Sequence, residues 1–336
     1  MNNNILLIDS DYDEAEGFVR GLEEETKSSW TIELYQNNVV YGIRRYMKFF
    51  LIAWRTVFNR KKYKGATLLC WQQFYGICIA FFCRLLHVKR MFSLIIMTFI
   101  YKPKAGFVGK LYRQFIKYSI TSQYVDGIIL TSQNEIDMYA DEFGLNKSKF
   151  WFVPCGAIAY NPHDYDNDIL KNKNYYFSTG RSNRDYDFLI HAFENTEYHL
   201  VIACDKLKTR NDENIEIHND LFNEKMLTYM RNARAVVIAL DNDQIAAGQL
   251  VLLHAMNMEV PVIITKSHGV TDDYVIDGYN GLVIEKNTKD LLAALNKIEN
   301  NPELYRRLCR NGRKEFEEKY TYYAVGKEVG KIIKNI

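Results

Sequence analysis

Short apolar runs alternate with segments of helical spacing along the whole chain. Residues 5–8, 66–70, 127–131 and 175–178 are strand-like runs, and most are followed by stretches whose apolar residues recur every three or four positions. Strands that alternate with helices form parallel sheets covered by helices. Because 336 residues exceed one ordinary hydrophobic core, the sequence predicts an α/β protein with two domains.

The domain boundary is predicted within residues 154–172, which are rich in turn-forming residues and lack periodicity. We therefore expect a first domain over residues 1–157 and a second over residues 158–319. A final helix is predicted within residues 320–336.

Charge is strongly segregated along the chain, although the formal net charge is only +2. From Leu34 to Val125 there are 16 Lys or Arg and no Asp or Glu. Such a block implies an anionic partner: phospholipid, nucleic acid or a phosphorylated substrate. No run is long enough to span a membrane, and no signal peptide is recognisable. We expect a cytoplasmic protein that is peripheral to the membrane.

The densest part of this block, residues 41–64, mixes cations with aromatic and aliphatic residues. That composition is typical of a helix lying at an anionic membrane surface. The alternative is a solvated basic helix that packs within the first domain. Nucleic acid is disfavoured as a partner because no nucleic-acid motif accompanies the charge. The predicted membrane or acceptor residues are Arg44, Arg45, Lys48, Arg55, Arg60, Lys61, Lys62 and Lys64.

Two glycine-containing loops of the second half precede helices. Gly180-Arg181 follows a predicted strand, with Arg184 before the next helix, and Gly248-Gln249 opens a helix further on. The N-terminus of a helix at the carboxyl edge of a parallel sheet favours anions. Then come "Pro-Val-Ile-Ile" and "Asp-Gly-Tyr-Asn-Gly-Leu", within residues 261–282.

These motifs resemble the donor-binding core of retaining, nucleotide-sugar-dependent glycosyltransferases of the group 1 or family 4 type. The resemblance implies the GT-B fold: two Rossmann-like domains with parallel sheets facing one cleft, and a last helix that crosses back to the first domain. It also implies that Gly180, Arg181 and Arg184 hold the donor pyrophosphate, with the two arginines as catalytic residues. Gly248, Gln249 and His254 would complete the donor site.

One departure from the family pattern concerns two glutamates, which are normally spaced as Glu, seven residues, Glu. Ala246 and His254 occupy these positions. A neutral imidazole can still hydrogen-bond a ribose, whereas alanine cannot replace a carboxylate. Two interpretations remain open: an enzyme that binds its donor in an altered way, or a non-catalytic GT-B subunit that binds an active partner or a glycan.

The expected activity is transfer of a sugar from a nucleotide-sugar to a lipid-linked or cell-surface polysaccharide acceptor at the cytoplasmic membrane face. The resemblance implies no tightly bound metal and no cofactor; the nucleotide-sugar is a substrate. The stereochemical outcome stays open. If the enzyme inverts, the candidate bases are Asp9, Asp11, Asp13 and Asp126.

Overall fold

The computed structural model describes residues 4–9, 12–35, 42–212 and 214–336, with the side chains of 12–14 and 43 excepted. The chain forms two compact units. The first contains Met1–Val153 and Tyr322–Ile336, and the second contains Pro154–Thr321. The chain therefore enters the second unit once and returns to the first for its last helix.

The first unit is built on a parallel sheet, to which its described residues contribute six strands in the order β2-β1-β3-β4-β5-β6. The strands are mostly buried and rich in Ile and Leu, as expected where helices cover both faces. They are β1 (Asn4–Ile8), β2 (Trp30–Leu34), β3 (Thr67–Cys70), β4 (Ser93–Ile96), β5 (Gly127–Leu130) and β6 (Phe150–Phe152).

Helices connect these strands in sequence, so each begins at the carboxyl edge of the sheet and ends at its amino edge. Helix α5 ends at Gly144, whose φ of 66° lets the backbone turn left-handed. The helices are α1 (Tyr12–Thr26), α2 (Ile43–Phe58), α3 (Gln73–Leu85), α4 (Gly106–Ile120) and α5 (Asn134–Phe143). A 3-10 turn, Arg60–Tyr63, follows α2.

The second unit has a seven-stranded sheet in the order β13-β12-β11-β7-β8-β10-β9, counted over its described residues. All pairs are parallel except β9 with β10. The strands are β7 (Tyr175–Thr179), β8 (His199–Ala203), β9 (Arg210–Asn211), β10 (Ile215–His218), β11 (Val236–Ile238), β12 (Val262–Thr265) and β13 (Leu282–Ile284).

The helices of this unit again follow the apolar periodicity of the sequence. Polar N-caps start several of them; Asn287, for example, accepts a hydrogen bond from the Asp290 N–H at 2.9 Å. They are α6 (Asp168–Lys171), α7 (Tyr186–Phe193), α8 (Asn223–Arg231), α9 (Gln249–Asn257), α10 (Thr271–Tyr274), α11 (Thr288–Asn300) and α12 (Pro302–Glu315). A π-helical turn, Phe316–Tyr320, extends α12.

The last helix, α13 (Tyr322–Lys334), packs against α1 in the first unit. Their contact is close because glycines lie on both surfaces. A Cβ atom built on Gly21 would stand 2.2 Å from the Tyr323 carbonyl oxygen, and one on Gly326 would stand 2.1 Å from that of Phe18. The sequence contains these glycines, but their pairing appears only in the folded chain.

No helix in the part of the chain that the structure describes is long and apolar enough to cross a lipid bilayer.

Candidate functional site

The loop between β7 and α7 and the loop between β11 and α9 meet at the carboxyl edge of the second sheet, where the strand order reverses. Strands β7 and β11 are neighbours in the sheet. The strands that follow them in the chain, β8 and β12, lie on opposite sides of this pair. Such a reversal leaves a crevice that binds ligands in open α/β sheets. Asn183 joins the two loops: its Nδ2 donates to the Asn242 carbonyl at 2.8 Å, and its Oδ1 accepts from the Asn242 N–H at 2.7 Å.

Arg184 lies between the two glycines that the sequence singles out. Its Nη2 is 2.7 Å from the position of a Cβ atom built on Gly180, and its Nη1 is 3.3 Å from one built on Gly248. Both glycines have φ near 120°, where a side chain is strained. Glycine suits both positions for two reasons: the backbone conformation disfavours a side chain, and a side chain would occupy the space of the Arg184 guanidinium.

Backbone carbonyls hold the Arg184 guanidinium in place. Its Nε donates to the Thr179 carbonyl at 3.0 Å and its Nη1 to the Ser182 carbonyl at 2.9 Å. Among the described residues, no carboxylate forms an ion pair with it. Burial lowers the pKa of Arg184 below its usual value, so the folded chain bears the cost of a partly desolvated charge. An anionic ligand would supply the missing counterion.

Arg181 has different surroundings from Arg184. It is exposed, its Nε is 2.8 Å from Asp205 Oδ1, and its guanidinium lies over the Phe222 ring at 5.6 Å. The structure thus places the two predicted catalytic arginines at the same sheet edge, but only Arg184 lacks a carboxylate partner.

Helix α9 begins beside Arg184. Gly248 immediately precedes it, and Gln249 in its first turn is buried, with no hydrogen-bond partner for Nε2 among the residues that the structure describes. Buried amides normally find a partner, so this donor is available to a ligand. The first N–H groups of the helix and its dipole add positive potential at the same place.

His254 lies one turn further along α9 and borders a cavity of about 510 Å³. Its Nδ1 is buried, and no described residue is its hydrogen-bond partner. Burial lowers the pKa of His254 to about 4, which keeps the imidazole neutral at physiological pH. Gly180 and Arg181 also line this cavity.

Most residues that line this cavity were missing from the sequence prediction, among them Asp205, Phe222 and Glu224. Asp205 follows the end of β8, so its place after a buried strand was a usable signal. Ala246 is half-exposed in the loop before α9. The carboxylates that border the cavity, Asp205 after β8 and Glu224 on α8, therefore do not lie at the positions of the family's two glutamates.

The predicted bases of the first unit lie in different places. Asp9 follows β1 at the carboxyl edge and pairs with Arg45 at 3.2 Å. Asp126 precedes β5 at the opposite, amino edge, where it accepts from the Leu94 N–H at 2.9 Å and pairs with Arg90. This position and pairing argue against Asp126 as a base. Asp11 lies outside the described residues, as does the side chain of Asp13.

The predicted basic surface divides between the two edges of the first sheet. Arg44, Arg45 and Lys48 lie in the first turns of α2, at the carboxyl edge. Arg55, near the end of α2, and Arg60, Lys61, Lys62 and Lys64, after it, lie toward the amino edge. Lys48 and Arg55 are seven residues apart on α2, which is roughly 10 Å, so the predicted residues extend along this helix from the carboxyl edge toward the amino edge.

No group of three His, Cys, Asp or Glu side chains suited to a metal ion occurs among the described residues. Positive charge at the carboxyl edge of the second sheet comes from Arg181, Arg184 and the start of α9, and also from Lys206 and Lys286, which contact the same loops.

The part of the chain that contains this site is similar to known glycosyltransferases. The family model described as glycosyl transferases group 1 matches residues 163–315, which include the Arg184 loop and α9. An uncharacterised glycosyltransferase of Methanocaldococcus jannaschii is 28% identical over 221 residues. That match covers 62% of this chain and 59% of the relative's length.

Solved structures resemble the whole chain. Anabaena HepE in complex with UDP-glucose has a TM-score of 0.67 at 11% identity, over 99% of this chain and 100% of the other. Sucrose-phosphate synthase from Thermosynechococcus elongatus has a TM-score of 0.69 at 14% identity, over 99% and 98% of the two chains. The predicted GT-B fold class is confirmed by these structures, and the match over residues 163–315 supports the predicted resemblance to group 1 glycosyltransferases.

Proposed function

We propose that the protein transfers a sugar from a nucleotide-sugar donor to a lipid-linked or cell-surface glycan acceptor at the cytoplasmic face of a membrane. The observation that carries the donor half is Arg184, a half-buried guanidinium without a carboxylate partner beside the start of α9. That HepE is described in complex with UDP-glucose supports a nucleotide-sugar as the ligand.

In this proposal, the second unit stabilises the departing nucleoside diphosphate. Breaking the bond between sugar and phosphate concentrates negative charge on the diphosphate, and fixed positive groups aimed at that charge lower the barrier. Arg184 is already oriented by the Thr179 and Ser182 carbonyls, so little reorganisation is needed. Arg181 would contribute after exchanging Asp205 for phosphate, and His254, as a neutral group, would hydrogen-bond the nucleoside.

A thermal-shift series against UDP-, GDP-, ADP- and TDP-sugars tests the donor half. A ligand that binds only the folded state raises the melting temperature. One nucleotide class should stabilise the native chain and Arg307→Ala, an exposed control on α12, but not Arg184→Ala. Loss of one preorganised charge should also lower kcat/KM by roughly 10²-fold or more. An unchanged shift and rate in Arg184→Ala would refute the role of Arg184.

The acceptor half of the proposal rests on an apolar surface at the carboxyl edge of the first sheet. Met47 on α2 is 65% exposed, and Phe107 and Val108 on α4 are 74% and 69% exposed. The rings of Phe50 and Phe115 lie 5.6 Å apart in a tilted arrangement, and this contact brings the two helices together on one face. Cations flank these residues at the same edge: Arg44, Lys48, Lys102, Lys104 and Lys110. Exposed apolar side chains ringed by cations suit the boundary of an anionic bilayer.

Vesicle flotation distinguishes this edge from the opposite one. Phe107→Ser/Val108→Ser should weaken binding to phosphatidylglycerol vesicles about 100-fold, because each side chain contributes roughly 1.5–3 kcal/mol when buried. Leu85→Ser/Leu86→Ser removes two exposed leucines at the amino edge and should change little. Likewise Lys102→Gln/Lys110→Gln should weaken binding more than Lys61→Gln/Lys64→Gln. Equal effects at both edges would contradict the proposed orientation.

A second candidate function is a non-catalytic GT-B subunit, favoured by Ala246 and His254 at the family's glutamate positions. The two candidates differ in turnover. Donor hydrolysis or sugar transfer by the purified protein in the presence of membranes would eliminate the subunit. Stabilisation by a nucleotide-sugar without any turnover would eliminate the enzyme.

A further inference from the structure

A second basic cavity, of about 630 Å³, lies in the second unit away from the donor loops. Its walls include the end of α8, the segment that leads into β11, and one face of α12. Residues that precede parallel strands lie at the amino edge of a sheet, and Arg234 and Glu259 stand just before β11 and β12. The cavity is therefore at the opposite edge from Gly180 and Gly248.

Two arginines of this cavity are held firmly in place. The Arg231 side chain is only 15% exposed, and it pairs with Asp166 at 2.8 Å and Glu259 at 3.2 Å. Arg313 donates to the Asn257 carbonyl at 2.6 Å and pairs with Glu317 at 2.6 Å. The cavity thus has a preorganised charged wall.

Three other cations of the wall have no ion-pair partner among the described residues: Lys171, Arg306 and Arg310. Arg306 and Arg310 are four residues apart on α12, so their side chains are neighbours of like charge that repel each other. An anion bound between them would turn this repulsion into attraction. Forked guanidinium groups match phosphate oxygens in particular.

We propose that this cavity is a second ligand site, which binds a small phosphate-bearing anion. Its volume falls within the range of small-molecule sites, about 300–1,000 Å³. The donor diphosphate is not its ligand, because the donor loops lie at the other edge of the sheet. Helix α9 has one end near each site: Gly248 precedes it, and Arg231 and Arg313 hold the Met258 and Asn257 carbonyls at its other end.

Titration calorimetry with pyrophosphate at physiological salt tests the site. All variants carry Arg184→Ala, which removes the donor-site contribution. Arg184→Ala alone should bind pyrophosphate, and adding Arg306→Gln/Arg310→Gln should weaken binding at least tenfold. The matched control adds Lys289→Gln/Lys297→Gln, two exposed lysines of α11 outside the cavity, and should stay within twofold of Arg184→Ala.

Three results would overturn the proposal. The first is no measurable pyrophosphate binding by Arg184→Ala. The second is unchanged binding after Arg306 and Arg310 are replaced. The third is an equal loss in the lysine control, which would mean that net charge alone attracts the anion. All four replaced cations are exposed, so misfolding is not expected, and circular dichroism verifies it.

Discussion

Replacing Gly21 with alanine should destabilise the first unit, whereas the same change at Gly17 should not. Both glycines lie on α1 and face α13. A Cβ atom on Gly17 would meet its nearest neighbour at 3.8 Å, an ordinary contact, whereas one on Gly21 would lie 2.2 Å from the Tyr323 carbonyl oxygen. Since contacting atoms need about 3.5 Å, Gly21→Ala forces the two helices apart by roughly 1 Å.

The magnitudes follow from two opposing effects. Alanine gains about 1 kcal/mol over glycine within a helix, and this gain applies equally to both variants. Overpacking costs about 1–3 kcal/mol, and the upper end applies at Gly21 because the obstacle is backbone rather than a flexible side chain. Gly17→Ala should therefore stabilise by about 1 kcal/mol, and Gly21→Ala should destabilise by about 2 kcal/mol, a difference of about 3 kcal/mol.

Tryptophan fluorescence during urea unfolding measures this difference in the correct unit. All four tryptophans belong to the first unit: Trp30, Trp54, Trp71 and Trp151. Trp71 also packs on Phe18 of α1 at 4.7 Å and on Tyr322 of α13 at 5.6 Å, so it reports on the contact itself. Free energies of unfolding that agree within about 0.5 kcal/mol for Gly17→Ala and Gly21→Ala would refute the reasoning.

Two further predictions concern the donor site. Burial holds the pKa of His254 near 4 rather than 6.5; between these values only the unfolded chain takes up the proton, so stability falls as pH falls. In His254→Gln, the free energy of unfolding should therefore fall less steeply with decreasing pH, by up to about 1.4 kcal/mol per pH unit. Urea unfolding followed by circular dichroism between pH 4 and 6.5 measures this slope, and an unchanged slope would contradict the prediction. Gly248→Ala and Gly278→Ala should both destabilise because both glycines have positive φ, but only the former places a Cβ beside Arg184. Only Gly248→Ala should therefore reduce the thermal shift with a nucleotide-sugar; an equal reduction in both would count against this placement.

The architecture could be predicted because it depends on local pattern. The strands near residues 127–131 and 175–178 agree with β5 and β7 to within a residue. Short buried strands and amphipathic helices leave periodicities that need no knowledge of distant partners. The glycine loops were recognisable for the same reason, since each sits between a strand and a helix in the sequence.

Side-chain pairing could not be predicted, because partners come from distant parts of the chain. Arg181 and Arg184 looked equivalent in sequence, yet Asp205, beyond the next strand, neutralises only Arg181. Asp126 looked available as a base until Arg90 and the Leu94 N–H were found beside it at the amino edge. The orientation of the basic segment could not be predicted either, because sequence does not show which end of α2 lies at which edge of the sheet.

The charge balance around Arg184 bears on the missing glutamates. A buried cation without a counterion costs free energy in the empty protein, and a bound diphosphate recovers that cost. A carboxylate at position 246 or 254 would partly neutralise the same region, and neither Ala246 nor neutral His254 does so. With Ala246 and His254 at these positions, the proposed binding of the donor depends less on the hydroxyl groups of its sugar and ribose and more on its diphosphate. A half-buried Arg184 without a counterion would only cost stability in a protein that binds no anion, so its position between Gly180 and Gly248 favours the proposed anion site.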